Sequence, residues 1–116
     1  MNDLIARLEA APEGSRELDA EIAVAVWPKL ADYAPDTKRG PGHWISPKDG
    51  PVYAENYTTS IDDALTLVPE GRRFKVGRDD DGTGYASVGG PRIVMSATPA
   101  LALCIACLRT REVSHD

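Results

Sequence analysis

Apolar residues recur at helical spacing through the first quarter of the chain. Leu4, Ile5 and Leu8 share one face, which predicts a helix over Leu4 to Ala11, capped by Asn2 or Asp3 and broken by Pro12-Glu13-Gly14. Leu18, Ile22 and Val26 (or Ala25) repeat at i, i+4 and i+8, predicting a second helix from an N-cap at Ser15 to about Trp27, where Pro28 stops it. Glu17, Asp19 and Glu21 fall in its first half, where the positive end of the helix dipole favours acids. Ser60-Ile61-Asp62-Asp63 resembles a capping box and opens a short helix to about Val68.

The period then changes to two. Arg72, Phe74 and Val76 alternate with Arg73 and Lys75, predicting a half-buried strand over 72–78. Asp79-Asp80-Asp81-Gly82 is a hairpin turn, and Tyr85 to Val88 the returning strand. A third strand, Arg92 to Ser96, puts Ile93 and Met95 on one face and Val94 on the other. Thr98 caps a last helix with Pro99 at its first position, where the missing N–H costs nothing. That helix runs to about Arg111, and Ala100 to Leu108 is apolar almost all round, so it is expected at the centre of the packing. Residues 28–51 hold five of the nine prolines and read as a long irregular connection, with short strands around His43-Trp44-Ile45 and Val52-Tyr53-Ala54. Residues 112–116 read as a frayed tail.

At 116 residues the chain fits a single domain, 1–116, and its 42% hydrophobic content suffices for one core. The fold class expected is α+β, helices lying on a small, mainly antiparallel sheet. Thirteen basic against eighteen acidic residues give a net charge of −5, which argues against nucleic acid or an anionic membrane as the default partner. No apolar run reaches the ~20 residues of a membrane span, and the N-terminus lacks the pattern of a secretory signal, so the cytoplasm is the expected compartment.

The quoted segments also resemble a known family. Tyr57 to Gly71 (YTTSIDDALTLVPEG) is similar to the central signature of the phage ABA-sandwich domain, a group of small phage and prophage proteins. Ala97 to Arg109 resembles its C-terminal helix, and Gly14 to Ala23 its second helix. The resemblance implies a three-layer α-β-α sandwich and a phage origin, and it supplies no catalytic residues. Members usually carry an aromatic residue directly after Glu-Gly, where this chain has Arg72.

The candidate chemistry is sparse. Cys104 and Cys107 form a C-x-x-C, but in the second and third turns of an apolar helix, too late for the dipole to activate a thiol. They read as buried hydrophobes, and with too few other ligands no metal is expected. No nucleophile elbow, phosphate loop or Rossmann fingerprint is present, and neither a catalytic residue nor a cofactor is expected. Two binding candidates stand out. His43 and Trp44, with Tyr53 and Tyr57, could stack on a partner, although Trp44 could equally plug the core beneath the loop. Arg72, Arg73, Lys75 and Arg78, with Arg92 across the sheet, suit phosphate or carboxylate; the alternative is an exposed strand guarded by charge and partly neutralised by Asp79 to Asp81. The sequence thus predicts a non-enzymatic accessory protein that binds a host or phage macromolecule, most naturally a protein, and inhibits a host system. The rival expectation is capture of a phosphate-bearing small ligand by Arg72, Arg73 and Lys75 with an aromatic such as Trp44; either allows a homo-oligomer.

Overall fold

The computed structural model describes residues 2–113, with side chains described for 2–111. The chain runs α1 (Asn2–Ala10), α2 (Arg16–Val26), a 3-10 turn (Pro28–Asp32), β1 (Ala34–Pro35), β2 (His43–Ser46), β3 (Gly50–Tyr53), α3 (Ile61–Leu65), β4 (Phe74–Arg78), β5 (Gly84–Val88), β6 (Val94–Ser96) and α4 (Pro99–Val113). It is an α+β fold with two small antiparallel sheets, ordered β1-β2-β3 and β4-β5-β6. Among the described residues no helix is long and apolar enough to cross a membrane.

The apolar last helix is the centre, as its sequence demands. Every residue from Ala100 to Leu108 is buried, and seven of these nine have no exposed surface at all. The β4-β5-β6 sheet packs on one side of α4, while α1 and α3 pack on it elsewhere. Thr98 caps α4 through its side-chain oxygen, which accepts from the Leu101 N–H at 3.2 Å. Gly84 permits the closest approach: a Cβ there would fall on the Thr98 and Pro99 backbone, so only glycine lets β5 meet the start of the helix. Leu4, Ile5 and Leu8 of α1 and Leu18 and Ile22 of α2 complete the core. Arg7–Glu21 and Arg109–Glu9 ion pairs tie α1 to α2 and to α4 on the surface.

The structure corrects three expectations. Residues 28–51 are not an irregular connection: they hold the 3-10 turn, β1 and most of a three-stranded meander. The prolines concealed it, yet Pro35 and Pro51 lie in β1 and β3, the edge strands, where a missing N–H removes no ladder bond. The short helix ends at Leu65 rather than Val68, because the Thr66 hydroxyl takes the Asp63 carbonyl at 2.6 Å and the last turn tightens into i→i+3 bonds. Ser60 caps that helix as expected, but Asp63 does not close a capping box; its carboxylate accepts from the Asn56 N–H at 2.9 Å. Finally, residues 112 and 113 of the expected tail continue α4, and 114–116 lie outside the described residues.

Candidate functional site

The four aromatic candidates do not form one site. In β2 the side chains alternate, so Trp44 turns inward, 8% exposed, while His43 turns outward. Tyr53 is the cross-strand partner of His43, their ring centroids are 6.4 Å apart, and Tyr53 is 65% exposed. Tyr57 is buried in the core, where desolvation first, then the nearby carboxylates of Glu55, Asp19 and Asp63, push its phenol above the ordinary range. Trp44 thus takes the plugging role, with its remaining edge on the floor of a groove between α1 and α2. His43, Ile45 and Tyr53 face outward from this sheet, with Ala34 and Pro51 on either side of Ile45.

The basic strand also divides. Arg72, Arg73 and Lys75 line a groove of about 490 Å³ together with Phe74, Ser87 and the Gly90-Pro91 turn. Arg78 sits at the other end of β4, about 16 Å along the strand from Arg73, beside Thr58 and the start of α4. It is not part of the groove, because residues 74–77 separate it from Arg73 and the turn begins directly after it. Trp44 lies in the other sheet and cannot supply the aromatic wall, and Phe74, 46% exposed at the groove's edge, alternates with Arg73 and Lys75 and so points to the other face of the sheet. Arg92 is exposed near the groove's far rim and does not line it.

The register explains the groove. Lys75 faces Ser87 across the β4–β5 ladder, on the sheet face turned away from α4, and Arg73 continues that face by accepting from the Gly89 N–H at 2.7 Å. Arg72 then lies over the turn: a Cβ on Gly89 would stand 2.9 Å from its guanidinium, and the φ of +76° at Gly89 is one that glycine alone adopts freely. None of Arg72, Arg73, Lys75 or Arg78 makes an ion pair among the described residues, whereas Arg7, Arg16, Arg39 and Arg109 all do. The expected neutralisation by the triple-acid turn does not reach the groove. Asp79 to Asp81 follow Arg78, and Asp81 is occupied by Thr83, whose backbone and side chain hold its carboxyl below the usual range.

One polar cluster escaped the sequence reading. Asp19 is fully buried; one of its oxygens accepts from the Thr58 N–H at 2.8 Å and the Thr58 hydroxyl at 2.6 Å, the other from Arg16 at 3.0 Å. Arg16 also donates to the carbonyls of Ala54 (3.0 Å), Glu55 (3.2 Å) and Gly42 (3.4 Å) and to the Asn56 side chain at 3.0 Å. Both terminal nitrogens of Arg16 and both oxygens of Asp19 are occupied, so this is a clip joining α2 to the first sheet rather than a reactive site. The signal was available: Asp19 falls between Leu18 and Ile22 on the buried stripe, where a carboxylate must find partners.

The thiols are shut away. Cys104 donates to the Tyr57 carbonyl at 3.2 Å, and burial pushes its thiol far above the ordinary range and that of Cys107 up to about 12. No group of three or more His, Cys, Asp or Glu residues among those described is gathered to hold a metal ion. Comparison with known proteins finds no matching family model, no matching curated protein and no matching solved structure. The functional reading therefore rests on geometry, and the open face of the β4-β5-β6 sheet is its strongest feature.

Proposed function

We propose that the protein acts by binding, without catalysis of its own, and that it docks a protein partner on the open face of the β4-β5-β6 sheet. One observation carries this reading. The face opposite α4 is half cationic, with Arg73 and Lys75, and half apolar, with Ile93 and Met95 at 60% and 55% exposure. Apolar area beside unpaired cations matches a partner that presents acidic groups around an apolar contact. Within the same proposal the role is that of a phage or prophage accessory protein that inhibits a host system; its support is the sequence resemblance alone.

The test compares capture of host proteins by the wild type with capture by Lys75→Glu and Met95→Asp, both at solvent-facing positions. A partner held through this face is lost by both variants and retained by Tyr53→Ser on the other sheet. Raised salt weakens what remains of the charge-dependent part. Capture that survives both substitutions, or that Tyr53→Ser abolishes, would refute the docking face.

A further inference from the structure

We infer that Arg72, Arg73, Lys75 and Ser87 form a discrete oxyanion subsite for the terminal phosphate of a small ligand. This goes beyond the docking reading and survives its failure, because it needs only the groove. Three cations converge on it without a single compensating carboxylate, in a chain where acids outnumber bases by eighteen to thirteen. Like charges held this close repel each other, and an anion between them removes that cost while gaining charge-assisted hydrogen bonds from each.

A second observation is independent of charge. Ser87, on the central strand, is only 6% exposed, lines the groove, and makes no side-chain hydrogen bond among the described residues. Its oxygen is not closed off as that of Ser96 is, so it stays reachable from the groove and free to donate to a bound oxyanion. The dimensions agree: about 490 Å³ exceeds what a lone phosphate needs and falls in the range of small-ligand sites.

The probes are sodium pyrophosphate and adenosine diphosphate, each titrated into the purified protein at constant ionic strength and followed by calorimetry and amide NMR shifts. Both should bind saturably at one site, shifting the amides of Ser87, Gly89 and Gly90. Arg73→Ala and Lys75→Ala should each weaken binding about tenfold or more. Ser87→Ala should weaken it several-fold without altering charge. Arg78→Ala, at the far end of the same strand, should leave binding unchanged. The assignment is overturned by the absence of saturable binding, or by Arg78→Ala acting as strongly as Arg73→Ala (a diffuse field rather than a site). Amide spectra of the unliganded variants keep any loss of fold distinct from loss of binding, and captured host protein plays no part in the readout.

Discussion

Replacing Asp19 by alanine removes the acceptor around which α2 and the 54–58 segment are organised. The loss can be worked contact by contact. The Thr58 hydroxyl has a second acceptor in the Ser15 carbonyl at 3.1 Å, so turning to it recovers most of one bond. Arg16 keeps four other oxygens, and with 31% of its side chain exposed water shares the rest, so its lost ion pair counts for little. The Thr58 N–H has no substitute. Thr58 is 1% exposed, and a stranded buried donor costs about 1–3 kcal/mol, to which the space left by the carboxylate adds about 1 kcal/mol. The expected total is about 3 kcal/mol. For 116 residues the unfolding entropy is about 0.24 kcal/mol per kelvin, so Tm should fall by about 12 °C. Urea unfolding and calorimetry measure this directly, and Asp19→Asn, which preserves an oxygen for Thr58, should cost much less. A loss below about 1 kcal/mol for Asp19→Ala, or equal losses for the two variants, would mean that the Thr58 N–H is not what the carboxylate stabilises.

Two further substitutions and a titration probe the core. Gly84→Ala should destabilise by about 2–3 kcal/mol in chemical unfolding, because its methyl group meets backbone at the start of α4, while Gly82→Ala, with open space around it, should cost only the left-handed strain of about 1 kcal/mol. In native protein at pH 8 neither Cys104 nor Cys107 should react with a thiol reagent except through unfolding, which single-exponential labelling at the unfolding rate would show. Both native thiols titrate above their unfolded value of about 8.5, so the stability they contribute is intact below that pH. It then falls by about 1.4 kcal/mol per unit per thiol as the pH rises, until the native value, about 12 for Cys107, is reached. The double variant Cys104→Ala/Cys107→Ala should flatten that slope between pH 8.5 and 10, before Tyr57 begins to add a slope of the same sign.

The elements set by long periodic patterns were legible in the sequence. Leu4-Ile5-Leu8, Leu18-Ile22 and the unbroken apolar run of α4 each predicted both a helix and its buried face, since burying those side chains admits few alternatives. The 72–88 hairpin was legible for a similar reason: alternation on either side of Asp79 to Gly82 fixes its register. What escaped was non-local. Nothing near Pro35 or Pro51 says that they occupy sheet edges; that depends on β2 passing between them. Nor does the order of residues reveal that the strands form two sheets rather than one, which places Trp44 far from the basic strand. The site was legible in kind but not in membership. Arg72, Arg73 and Lys75 could be named as a cluster, whereas Ser87 became their partner only through the pairing of β4 with β5.

Register also decides why the groove keeps its charge. By sequence, three aspartates lie next to the basic strand and should dull it. In the hairpin they cap the end that carries Arg78, while Arg73 and Lys75 stand opposite Gly89 and Ser87, neither of which offers a carboxylate. Sliding the pairing by a single residue would turn Lys75 toward α4 and Phe74 outward, an arrangement excluded by the solid packing of Ala86 and Val94 against that helix. The same core that silences the two cysteines therefore holds three cations on the open face. An acidic molecule with an uncompensated basic groove fixed in this way has a built-in orientation toward anions, and its encounter rate with them should fall steeply as salt is added.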